Sequence, residues 1–286
     1  MLTLALFDCA RIHLQTTVTM PYPIANLAYG LRCRLHDLAE HLERYNLQIA
    51  AGAPSICPPI QVVQRKHTIN FVRENGTLML KGRNKTSRRV ILKKDSLVYA
   101  KDFAFLNLNS DDLESPVLKD LHVIPKLLTF VECDSSNNFF ERVQTIFPCA
   151  TNIFIGDMPG FTLTGLFNTF PKLEKLRLLL LPDVPKTWLT ELLPFSGRLS
   201  SLMIEYCSDI LNDTTCDQLV AFLKAQKPGF RLEVDEFTAS KEHSRELISG
   251  LKKKLPYTKK DKPVAATNIV MHTYCMNCEF ITFYLP

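Results

Sequence analysis

The sequence predicts an α/β protein: a helical segment at the N-terminus, a small antiparallel β layer, then a solenoid of parallel strands alternating with helices. Three observations predict it. Leucines fall at helical spacing between residues 27 and 38, an Asn-Gly pair at 75–76 separates two alternating apolar runs, and strand-like and helix-like patterns recur at a near-constant offset between 115 and 255.

The first helical segment is read from Leu27, Leu31, Leu35 and Leu38, which share one face at 3.6 residues per turn. "LERYNLQIAAG" supplies a second, with Leu47 and Ile49 expected in the core. Residues 1–19 read as an extension outside this segment. They have no basic region ahead of their apolar stretch, which Asp8 interrupts, so a signal peptide is not expected.

In "HTINFVRENGTLMLKG", Ile69 and Phe71 alternate on one side of Asn75-Gly76, and Leu78 and Leu80 on the other. Both central residues tolerate positive φ, which makes this a strong hairpin signal. "RRVILKK" and "SLVYAKDFAFLNL" add further strand-like runs, so residues 61–110 are expected to form an antiparallel layer capping the repeat.

The repeat itself begins with a degenerate unit at Val117, Leu121 and Ile124, ahead of "KLLTFVEC". Leu163, Leu166, Phe167 and Phe170 lie 23 residues after Phe140, Val143, Gln144 and Phe147, and Leu176 and Leu178 lie 23 after Ile153 and Ile155. Ser136 and Asn137 are capping candidates for the first of these helices. A helix starting near Pro185 is expected to bury Trp188, Leu189, Leu192 and Leu193. Leu202 and Ile204 then repeat the strand, and Cys216, Leu219, Val220 and Leu223 repeat the helix, with Thr214 and Asp217 spaced as a capping box. One strand and one helix every 23 to 30 residues is the spacing of a leucine-rich-repeat solenoid, and Leu199, Leu202, Ile204 and Cys207 fit its L-x-x-L-x-L-x-x-N/C pattern. Residues 111–286 are assigned to this region.

The N-terminal segment, residues 20–60, carries a resemblance. "YPIANLAYGLRCRLHDLAEHLERYNLQIAAG" opens with Tyr22, Pro23 and Ile24, continues with Leu27, Leu31, Leu35 and Leu38, and resembles a divergent F-box. Ala28 stands where such motifs usually carry Pro. The order of domains is similar to lineage-expanded F-box proteins in which a β-rich segment and leucine-rich-repeat-like units follow the motif. The resemblance implies a non-enzymatic substrate receptor of a cullin–RING (SCF-type) ubiquitin ligase. Tyr22, Pro23, Ile24, Leu27, Leu31, Leu35 and Leu38 would dock on the SCF adaptor protein, and the repeat surface would hold a protein substrate.

Composition sets the remaining expectations. The 286 residues are 46% hydrophobic, with a formal charge of +5 that is compatible with nucleic-acid contact without implying it. No apolar run approaches the length needed to cross a bilayer. Nine scattered cysteines fit reduced thiols and a cytoplasmic or nuclear location. No nucleophile elbow, phosphate-binding loop, dinucleotide fingerprint or H-E-x-x-H motif occurs, so no catalytic residue and no cofactor is expected. His272, Cys275 and Cys278 have ligand-like spacing but no second C-x-x-C, and the favoured reading is a turn at Met276-Asn277 between two strands. The basic stretches 81–94 and 252–262 lack interleaved aromatics and are expected to be solvated faces. The alternative functions are a nucleic-acid-associated protein using those stretches, or a scaffold paralogue that no longer binds a ligase.

Overall fold

The computed structural model describes residues 26–39, 41–50, 60–82, 90, 96–119, 125–179, 187–205, 211, 213–236, 241–259, 266–273 and 279–285. The chain divides into two compact units. The first contains residues 1–65, 91–99 and 120–123, and the second residues 66–90, 100–119 and 124–286.

The first unit holds α1 (Tyr29–Leu38), α2 (His41–Ala50) and the start of β1 (Val62–Glu74). The chain turns between the helices at buried Ala39, whose carbonyl accepts Arg44 Nη2 at 3.1 Å. Buried Gln48 on α2 accepts the Gln61 N–H through Oε1 at 3.0 Å, satisfying two polar groups that burial would otherwise leave unpaired.

All eleven described strands contribute to the second unit. β1 pairs antiparallel with β2 (Thr77–Gly82) around the Asn75-Gly76 turn, whose residues have φ of 49° and 75° as the hairpin signal requires. The hairpin is not a layer of its own. It continues through β3 (Ser96–Leu106) into one mixed sheet whose order is β2-β1-β3-β4-β5-β6-β7-β8-β10-β11-β9. β3 runs parallel to β4 (Leu127–Val131), and β5 (Asn152–Gly156), β6 (Lys175–Leu179), β7 (Ser201–Glu205) and β8 (Arg231–Glu236) follow as consecutive parallel neighbours. β10 (Asn268–Thr273) extends this run. β11 (Glu279–Tyr284) and the short β9 (Tyr257–Thr258) close it antiparallel. The β10–β11 hairpin matches its expectation, while Cys275, Met276, Asn277 and Cys278 lie outside the described residues.

The register explains the near-constant offset. Phe103, Leu128, Ile153, Leu176, Leu202, Leu232, Ile269 and Phe283 form one cross-sheet row. Phe105, Phe130, Ile155, Leu178, Ile204, Val234, Met271 and Ile281 form the next, and both rows are buried. A one-residue slip would turn both rows to the opposite face, so burial locks the register.

Helices α4 (Asn137–Ile146), α5 (Leu163–Thr169), α6 (Trp188–Leu192), α7 (Cys216–Ala225) and α8 (Lys241–Lys254) alternate with these strands, each packed beside the next. Parallel crossovers share one hand, so consecutive units place their helices on one face. On that face Phe130 meets Phe139 and Phe140 of α4 edge-on at 5.9 and 5.7 Å, and Phe105 stacks on Phe71 at 4.8 Å.

Two helical details differ from expectation. Leu193 is exposed, because α6 passes at Leu193 into a single tighter turn with Pro at its second position. The capping box at α7 is Thr215 with Gln218, one residue later than predicted, since Thr214 is buried. Ser136 caps α4 by accepting the Phe139 N–H, as its residue type suggests. Val117 is half-buried beside the short α3 (Pro116–Lys119), whereas Leu121 and Ile124 lie outside the described residues. Cys33, Cys133 and Cys216 are free thiols, but Cys149 is disulfide-bonded, so the cysteines are not uniformly reduced. Among the described residues no helix is long and apolar enough to cross a membrane.

Candidate protein-interaction surfaces

In the first unit, α1 starts at Tyr29 without a side-chain cap, and the N–H groups of Leu31 and Arg32 close on the Ala28 carbonyl. Leu27 therefore precedes the helix rather than lying on it. Leu31, Leu35 and Leu38 fall within about 60° of one another around the axis at 100° per residue. Leu35 is half-buried and anchors the stripe, while Leu27, Leu31 and Leu38 are 38%, 56% and 74% exposed. Tyr22, Pro23 and Ile24, the opening of the motif, lie outside the described residues. On α2, Leu47 is half-buried but Ile49 is exposed, contrary to its expected core position, because it sits in the last turn beyond buried Gln48. Among the described residues, Leu27, Tyr29, Leu31, Leu38, Ile49 and Ile60 account for six of the eight exposed large apolar side chains. Scattered exposed apolar residues are ordinary on a folded protein; these six all fall between residues 27 and 60.

In the second unit, the strand residues between the core positions build the opposite face of the sheet. Its middle row is Thr129, Phe154, Arg177, Met203 and Glu233, in register from β4 to β8. The Arg177 guanidinium lies 5.3 Å from the Phe154 ring centroid and donates Nε–H to Glu205 Oε2 at 2.5 Å. Arg231 donates to Glu233 at 3.1 Å. Phe154 and Met203 stay half-exposed. An arginine held between a ring and a carboxylate loses little freedom when a partner arrives, and Arg beside aromatic residues is the composition of interface hot spots. Sequence reading passed over these residues, although their signal was present: they are the alternate positions of each apolar-x-apolar strand.

At the C-terminal ends of three neighbouring strands, Asn107, Glu132 and Asp157 have φ of 53°, 53° and 46°. The residues that follow, Leu108, Cys133 and Met158, are buried. The left-handed residue turns the chain so that its successor plugs the end of the core. Burial pushes the Cys133 thiol up to about 11, and it donates to the Phe105 carbonyl at 3.2 Å.

Several cations of the two basic stretches are already engaged within the chain. Lys81 pairs with Glu74 across the hairpin, Lys254 pairs with Asp217, and the Lys252 ammonium lies 5.4 Å from the Tyr257 ring centroid. Residues 83–89, 91–94 and 260–262 of the basic stretches lie outside the described residues. No group of three or more His, Cys, Asp or Glu side chains converges as a metal site among the described residues. Comparison of the chain with protein-family models, with curated proteins and with solved structures found no match.

Proposed function

We propose that this protein is a non-enzymatic substrate receptor of an SCF-type ubiquitin ligase, with the F-box-like segment docking on the ligase adaptor and the repeat region holding a protein substrate. The observation that carries this reading is the exposure of Leu31 and Leu38 beside half-buried Leu35 on α1, with exposed Leu27 just ahead of the helix. A helix that presents leucines to solvent gains by burying them in a partner's groove, at roughly 25 cal/mol per Å² of apolar area. Tyr22, Pro23 and Ile24 complete the docking segment in this reading. The strand–helix units of the second unit are taken as a leucine-rich-repeat-like solenoid, an assignment supported by the in-register rows and the helices packed in chain order. The sheet face opposite α4–α8, with Phe154, Arg177 and Met203, is the surface for the substrate. The reading needs no chemistry from this chain and places it in the cytoplasm or nucleus, where such ligases work.

The test is one variant of the full chain. Replacing Leu27 and Leu31 together with Asp puts two charges into the proposed apolar interface and should abolish co-purification of the adaptor. Its melting temperature should stay close to that of the wild type, since both side chains are exposed. Wild-type protein that fails to capture the adaptor, or a variant that captures it equally well, would overturn the assignment.

A further inference from the structure

The charges on the face opposite α4–α8 are arranged unequally. Each carboxylate lies lower than the cation that it pairs with: Glu205 is 9% exposed against 50% for Arg177, and Glu233 is 16% exposed against 28% for Arg231. What an approaching molecule meets is therefore guanidinium. Lys175 adds a third cation. It is exposed, it stands in register with Ser201 and Arg231, and its ammonium makes no hydrogen bond or ion pair with any described residue. Lys175 and Arg231 sit two strands apart, about 10 Å at the usual strand spacing. Phe154 and Met203 lie in the adjacent row, on either side of Arg177.

From this arrangement, and resting on the reading of this face as the substrate surface, we infer that its occupant is an extended protein segment with two carboxylates three residues apart and an apolar or aromatic side chain beside them. In a polyproline II conformation, residues i and i+3 point the same way about 9 Å apart, which matches the separation of Lys175 and Arg231. The neighbouring apolar side chain then reaches Phe154 and Met203, where it covers the Arg177 stack and strengthens the pair with Glu205 by excluding water. A segment that crosses the strands needs no free sheet edge, so its specificity comes from side chains rather than backbone pairing. A basic segment would meet the exposed cations first and be repelled.

The probe is a fluorescein-labelled, proline-rich peptide with two glutamates three residues apart and an adjoining phenylalanine, read by fluorescence anisotropy against the full chain. The same peptide with lysines for the glutamates is the control. The acidic peptide should bind at least about tenfold more tightly than the control, and its affinity should fall as salt is raised. Lys175→Glu and Arg231→Gln should each weaken it, and the pair together by about tenfold or more. Should the double variant melt early, Lys175→Glu alone decides the matter, because an exposed lysine whose ammonium has no partner among the described residues leaves no buried charge behind. Equal binding of the two peptides, indifference to Lys175→Glu, no binding at all, or occupation of the face by a second copy of the chain in sedimentation would each overturn the inference. Adaptor capture measured on the same variants separates the two readings: peptide binding lost with capture intact affects only the open face, and capture absent with peptide binding present affects only the ligase assignment.

Discussion

Arg198 ties consecutive strand–helix units together, and removing its guanidinium tests how those units are held. A helix leaves its last carbonyls without intrahelical partners. At the end of α5 the Phe167 and Phe170 carbonyls accept Arg198 Nη1 at 3.0 Å and Nη2 at 2.6 Å, from a residue about thirty positions later in the chain. The guanidinium also lies over the Phe167 and Phe195 rings, 5.2 and 5.4 Å from their centroids. The Arg198 carbonyl in turn accepts Lys227 Nζ at 2.9 Å, and the Lys227 carbonyl accepts Thr267 Oγ1 at 3.0 Å, so the link passes from unit to unit. Arg198→Met keeps an apolar stem and removes the donors. Two bonds from a charged donor contribute about 1.5 kcal/mol each, and the ring contacts about 0.5 to 1 more. Against this, Nε is buried without a hydrogen-bond partner, a cost of about 1 kcal/mol that the variant relieves. The net loss should be about 2 to 3 kcal/mol, which a urea titration reads as a midpoint lowered by somewhat under about 1 M for a slope near 3 kcal/mol/M. Arg198→Lys should recover no more than half, because one ammonium cannot span both carbonyls as the planar fork does. A midpoint for Arg198→Met within about 0.2 M of the wild type, or full recovery by lysine, would refute the reasoning.

Two further predictions concern the same unit. Leu166 is fully buried on α5, so Leu166→Ala should cost about 2 to 5 kcal/mol in urea unfolding, and overlapping curves would contradict its place in the core. Burial opposes ionisation of Asp134, but hydrogen bonds from the Ser136 N–H, the Ser136 hydroxyl and the Ser110 hydroxyl outweigh it and hold the carboxyl below the usual range. A carboxylate whose folded pKa is lowered adds stability that is complete above its unfolded value near 4 and is lost as pH falls through the lower folded value. The melting temperature of Asp134→Asn should therefore fall less steeply than that of the wild type between about pH 4 and pH 2.5, and parallel slopes would show that these bonds do not favour the charged form.

Elements whose signal is local could be read from the residues alone. The Asn75-Gly76 turn, the α4 cap at Ser136 and the alternation of Ile153 and Ile155 or Leu176 and Leu178 follow from φ preference, a short side-chain acceptor and period-2 burial, all read within a few residues. The constant offset further implied that these strands are neighbours, because crossovers of that length leave little choice. On α1 the leucine spacing marked the stripe, although exposure of Leu27, Leu31 and Leu38 depends on what the rest of the chain leaves uncovered. That the hairpin joins the same sheet as the parallel strands follows from long-range pairing alone, since nothing local distinguishes a separate layer from the start of a larger one. Long-range pairing also decided that Phe154, Arg177, Glu205 and Lys175 share a face. That face is assembled from strands more than twenty positions apart in sequence, and its charges acquire meaning only when register brings each cation beside or away from a carboxylate.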